Sequence, residues 1–201
     1  IPANETIVAI PTPTNTATRT PTPQPTATPA PGGGPTVGGC AVFPSDNPWN
    51  TDISGYPVHP NSANFIAAIN ATGGTGKLHP DFGGGGAYGI PYIVVPSNQP
   101  MTPVVFTDYG DESDPGPYPI PLNAPIEGGS DAHVIAIRQG ECKLYELFAS
   151  YVSGNSWYAA SGAVWNLNSN ALRPFGWTSA DAAGLPIFAG LARYDEVQAG
   201  A

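Results

Sequence analysis

The chain of 201 residues has little charge and almost no positive charge: 10% of its residues are Asp, Glu, Lys or Arg, and only six are Lys or Arg. With 15 acids against those six bases, the net charge is −9. That balance leaves no cationic stripe to neutralise phosphates, which argues against nucleic acid as a partner. It argues equally against an anionic membrane surface. No run approaches the 18 or so apolar residues that a membrane-spanning helix requires. Two cysteines, three histidines and one methionine leave little room for thiolate or imidazole metal motifs. Gly and Pro are abundant instead, 25 of each, which points to a chain rich in turns and extended segments.

That abundance is unevenly spread. Residues 11–31 read PTPTNTATRTPTPQPTATPAP and are followed by three glycines. Thr-Pro alternation disfavours both helix and sheet ladder, because Pro lacks an N–H and forces its predecessor toward extended geometry. Such a tract favours polyproline II and acts as a semi-rigid spacer of about 3.1 Å per residue. Its threonines Thr12, Thr14, Thr16, Thr18, Thr20, Thr22, Thr26 and Thr28 are typical acceptors of O-linked sugar on extracellular stalks. Ahead of the tract, Thr6, Ile7, Val8, Ala9 and Ile10 suit a short strand. Alone in water that strand is an unpaired edge, and it needs a partner. The expected organisation is therefore an N-terminal strand in 1–10, an extended linker over 11–35 and a globular domain over 36–201. No signal peptide precedes the strand, as expected of a mature chain from which one has been removed.

The globular part, about 165 residues, is long enough to bury roughly 70% of its unfolded surface as one domain. Short apolar and aromatic runs separated by Gly, Pro, Asn and Asp predict strands at 40–43, 88–96, 103–109, 132–138, 143–152 and 157–167. The expected fold is mainly β, a β-sandwich or jelly-roll-like domain with a few short helices. Those helices are predicted at 62–71, at 180–184 behind a Ser179 cap, and at 190–197. Cys40 and Cys142 lie far apart without metal-type spacing; in an exported protein they pair as a disulfide, and otherwise they are buried free thiols.

Candidate chemistry is sparse. Asp108, Asp111, Glu112 and Asp114 form the densest acidic cluster. Oxygen ligands of this kind suit Ca²⁺, although the spacing is not that of an EF-hand; a capping turn or a glycosidase carboxylate pair is the other reading. His79 beside Asp81 and His133 after Asp131 have the form of acid-oriented bases, with structural histidines as the plainer alternative. Gly83–Gly86 lacks the lysine of a phosphate loop, and no G-x-S-x-G motif occurs. Four tryptophans and nine tyrosines serve either as core or, where exposed, as stacking platforms for sugar rings. Arg193 is expected to pair with Asp195 or Glu196.

Several runs are distinctive: VFPSDNPWNTDIS (42–54), LHPDFG (78–83), YGIPYIVVP (88–96), DESDPGPYPIPLNAPIEGG (111–129), DAHVIAIRQGECKLYELF (131–148) and SGAVWNLNSNALRPFGWTSADAAGLPIF (161–188). With GLARYDEVQAG (190–200) they resemble a family of secreted bacterial proteins often found behind Thr/Pro-rich linkers. The resemblance covers residues 40–200 and implies no catalytic residue. Members of that family continue past the motif at 194–200 with a further strand of the pattern I-x-H-A-x-R-F-T. The sequence therefore leads to the expectation of an open sheet edge that accepts the N-terminal strand of another copy. Head-to-tail contacts of that kind build a filament when they do not close. The expected function is a structural subunit of an extracellular glycoprotein filament or surface assembly, with copies of itself as partner. The alternative is a secreted glycan-active enzyme or carbohydrate-binding module on a Thr/Pro tether.

Overall fold

The computed structural model describes residues 34–72 and 89–199. The predicted N-terminal strand, the Thr/Pro tract, His79 and the Gly83–Gly86 run lie outside the described residues. What is described is mainly β, with mixed sheets and two short α-helices.

A two-stranded hairpin opens the domain, β1 (Thr36–Val37) against β2 (Cys40–Ala41). Its turn is Gly38-Gly39, both at positive φ (61° and 83°), a geometry that side-chain-bearing residues resist. Helix α1 occupies Ser62–Ala71, the predicted span. Strands β3 (Tyr92–Val95), β5 (Val134–Arg138), β6 (Lys143–Phe148) and β9 (Ser161–Asn166) form a four-stranded sheet in the order β3-β5-β6-β9. Strands β4 (Val104–Phe106), β7 (Tyr151–Ser153) and β8 (Ser156–Ala159) form a second sheet in the order β4-β8-β7. Each sheet contains one parallel pair, β3 with β5 and β4 with β8.

Two runs predicted as single strands are each divided between the sheets. Lys143–Val152 breaks at Ala149, which takes φ 51° and gives its N–H to Asp131 O (2.7 Å). The 157–167 run breaks at Ala160, whose N–H bonds to Phe148 O (2.8 Å). The chain thus leaves the larger sheet after β6, forms the β7–β8 hairpin in the smaller one, and returns as β9. The alternation slips by one residue at the second transfer: Trp157 and Ala159 face the layer between the sheets before Ala160 and Val164 faces it afterwards, while Ala163 and Trp165 face the other way, a slip hidden in a run that is apolar on both faces.

The central sheet is buried on both faces, which explains why VIAI and LYEL read as continuous apolar runs. One face presents Ile135, Ile137, Leu144 and Trp165 to Val42, Phe43, Leu167 and Phe188. The other presents Val134, Ala136, Tyr145 and Leu147 to Trp157 and Ala159 of the smaller sheet and to Tyr118 and Ile120. Gly162 allows that second contact: a Cβ there would sit 2.7 Å from the Phe106 ring. Cys40 and Cys142 are bonded, Cα to Cα 5.4 Å, tying the first hairpin to the turn before β6. Closing a loop of about 100 residues limits the unfolded chain by about 4–5 kcal/mol in the chain-entropy model.

The remaining helical predictions are corrected. Residues 180–184 form bends and turns, because the Ser179 hydroxyl accepts from Asp181 N (2.9 Å) and donates to Leu185 O (2.7 Å), closing a loop instead of opening a helix. The last helix, α2 (Tyr194–Ala199), starts later than residue 190, which instead ends a short 3₁₀ turn over Phe188–Gly190.

Candidate functional site

Three places in the fold gather functional groups: the acidic loop, a pocket at one end of the central sheet, and the outer margin of the smaller sheet.

The acidic loop turns inward. Asp114 pairs with the buried guanidinium of Arg173, and its Oδ2 also accepts Val164 N at 2.8 Å. Arg173 continues to Glu112 O (2.7 Å) and Thr178 O (2.9 Å), and its guanidinium lies 5.6 Å from the ring centroids of both Trp165 and Trp177. Glu112 accepts Thr178 N (2.8 Å), and Ser113 Oγ accepts Gly162 N (3.0 Å). Asp108 accepts the Thr107 hydroxyl (2.7 Å), while Asp111 is exposed on a short 3₁₀ turn. The proposed Ca²⁺ ligands Asp108, Asp111 and Asp114 are not brought together, and among the described residues no three acids, histidines or cysteines surround a common point. The reason is electrostatic: Asp114 already has a cation, Arg173. The loop's work is mechanical. Ser113 and Asp114 occupy the outer N–H groups of β9 and so cover that sheet edge.

The pocket opens where β5 begins, β6 ends and β9 begins, with a volume of about 740 Å³. Ile90, Phe148 and Ile187 supply apolar wall, and Tyr109, Asp131 and Asp181 lie along it. His133 lines it too, but its acid partner is Glu127, not the neighbouring Asp131. Its Nδ1 lies against Glu127, and its Nε2 lies 3.2 Å from Ala180 O. Ser161 is spent on Ser179 O (2.6 Å). Both imidazole nitrogens therefore hold backbone and carboxylate in place.

Behind the Ile187 wall is a group that sequence reasoning passed over. Glu146 is fully buried, accepting Trp165 Nε1 (3.0 Å), Ile187 N (3.2 Å) and Phe188 N (2.8 Å). Burial pushes its carboxyl up to about 7, opposed by those three donors and by nearby His133. The available signal was its position: in LYEL, Glu146 takes the same phase as Leu144, on a face that is apolar elsewhere.

The smaller sheet carries an exposed row on its outer face. Val105, Tyr158 and Tyr151 are cross-strand neighbours, and the two tyrosine rings stack at 5.3 Å with planes 15° apart. Tyr151 is 51% exposed and Val105 41%. All three residues of β7 are exposed. The tryptophans divide between roles: Trp157 and Trp165 are core, and Trp49 is exposed. Arg193 pairs with both Asp195 and Glu196. Thr6–Ile10 and the candidate glycosylated threonines lie outside the described residues. Among the described residues no helix is long and apolar enough to cross a membrane.

Comparisons with protein-family models, with curated proteins and with solved structures found nothing that matches this chain.

Proposed function

We propose that this protein is a secreted structural subunit of an extracellular filament or surface assembly, built as a β-sandwich and joined to the next copy by donation of Thr6–Ile10. The observation that carries the reading is the unequal treatment of sheet edges: β9 is covered, whereas β7 has no strand beyond it among the described residues. A free edge and a strand-forming segment without a sheet are complementary needs. The Cys40–Cys142 disulfide supports an oxidising compartment. The Thr/Pro composition of 11–31 supports O-glycosylation of the spacer.

The reach of the spacer favours a neighbouring copy over the same one. A polyproline II spacer as long as the 21-residue Thr/Pro run would span about 65 Å at about 3.1 Å per residue. A domain of about 165 residues has a radius of gyration of about 15 Å, hence a diameter of about 40 Å. Electron microscopy and intact mass of the native material test the reading. Regular fibres of subunits heavier than 20.6 kDa are expected, and deletion of residues 1–10 should leave folded monomers. Fibres that persist after that deletion overturn it.

The sheet-end pocket supports a second reading, a carbohydrate-binding or glycan-active module, since Tyr109, Asp131 and Asp181 are among its lining residues. Retention on insoluble polysaccharide that is lost in Asp131→Ala would favour it. Asp114 is unsuitable for that test, because removing it unpairs Arg173.

A further inference from the structure

We infer that the accepting edge is β7, and that Thr6, Ile7 and Val8 of a second copy of this chain add there antiparallel, opposite Ser153, Val152 and Tyr151 respectively. This assignment rests on the strand-donation reading and specifies its contact.

The backbone decides which groups are available. The β7–β8 hairpin closes through a two-residue loop, Gly154-Asn155, with Ser153 opposite Ser156. Closing pairs of such hairpins exchange both hydrogen bonds, and alternation makes Tyr151–Tyr158 the next bonded pair. The N–H and C=O of Val152 therefore point away from β8, toward the free edge. Among the described residues nothing accepts from or donates to them.

The side chains decide the register. Outward-facing positions of β7 are Tyr151 and Ser153, and Val152 turns toward the Trp157 side of the sheet. In the donated segment Thr6 and Val8 share one face and Ile7 takes the other. The antiparallel register places Val8 beside Tyr151, extending the row Val105–Tyr158–Tyr151 by a β-branched residue. It also places hydroxyl-bearing Thr6 beside Ser153, and Ile7 beside Val152 (37% exposed) at the rim of the core. Aromatic–β-branched and Thr–Ser pairs are both favourable cross-strand neighbours. The parallel register exchanges these partners, setting Thr6 on Tyr151 and Val8 on Ser153.

The test mixes two full-length proteins, one with Thr6→Cys and the other with Ser153→Cys, under mild oxidation. Opposite Ser153 the pair is of the non-hydrogen-bonded type, with Cα atoms about 4.5 Å apart, within disulfide range. The expected result is an intermolecular crosslink at least tenfold more abundant than that of Thr6→Cys with Tyr92→Cys on the edge of the larger sheet. The reverse preference overturns the β7 assignment while leaving strand donation standing. A chain carrying both Thr6→Cys and Ser153→Cys that crosslinks internally and stays monomeric overturns the assignment to a second copy. Val152→Pro removes the outward N–H without touching the hairpin's own bonds, and Tyr151→Lys places charge on the row. Assembly that survives in both variants overturns the inference, and assembly lost in both with an unchanged melting temperature supports it. If deletion of residues 1–10 leaves assembly intact, strand donation itself has failed.

Discussion

The outer edges of β9 and β7 present the same backbone problem and have opposite solutions. Along β9, Gly162 N and Val164 N each meet a side-chain oxygen, and Asp114 N returns a bond to Gly162 O (3.1 Å). Arg173 holds the covering loop in place through Asp114, in cation–π range of two indole rings. Along β7, three exposed residues and a pair of stacked tyrosines face solvent. The contrast is that Ser113 and Asp114 terminate the larger sheet at β9, whereas among the described residues no strand lies beyond β7.

The comparison can be broken first at its strongest point. Arg173→Ala leaves the Asp114 carboxylate without its cation and should cost about 3 kcal/mol, read by denaturant unfolding. A loss under about 1 kcal/mol would show that the loop covers β9 without help from the pair.

A comparable effect lies in the pH dependence. Glu146, opposite Ala163 of β9, has its carboxyl raised from 4.5 to about 7 by burial. The folded state then holds a proton that the unfolded chain releases. Its contribution is complete below pH 4.5 and disappears as pH rises to about 7, a loss of roughly 3 kcal/mol across that window. Stability measured between pH 4.5 and 7.5 should fall accordingly, and Glu146→Gln should flatten the slope.

Ser113→Ala removes the acceptor of Gly162 N and the donor to Tyr109 O, and should cost about 1 kcal/mol or slightly more. The smallest effect on folding is expected at β7: Tyr151→Lys should change stability by no more than about 0.5 kcal/mol. That substitution nevertheless should abolish assembly, seen as a shift to monomer in light scattering.

Much of the fold was legible in the sequence, where local chemistry settled the matter. The span of α1 and the apolar strands around Ile135 and Leu144 follow from residue type and spacing, and the pairing of Cys40 with Cys142 is the one expected of an exported chain. The acidic cluster was equally visible, but its role was not. A carboxylate's function depends on which charge it meets, and Arg173 lies 59 residues from Asp114. Glu127 was overlooked for the same reason: the histidine next to Asp131 turns to an acid six residues away.

By itself the sequence determined composition-driven properties: the acidity, the Thr/Pro composition of residues 11–31 and the short apolar runs that commit much of residues 34–199 to β structure. Those depend on single residues and near neighbours. Only tertiary structure decided which strands share a sheet, because runs buried on both faces hide the breaks at Ala149 and Ala160. It alone decided that Glu146 is fully buried, that Asp114 helps to close the β9 edge, and that among the described residues no strand lies beyond β7. Each of these is a contact between segments far apart in the chain, and burial and charge pairing act on distance in space.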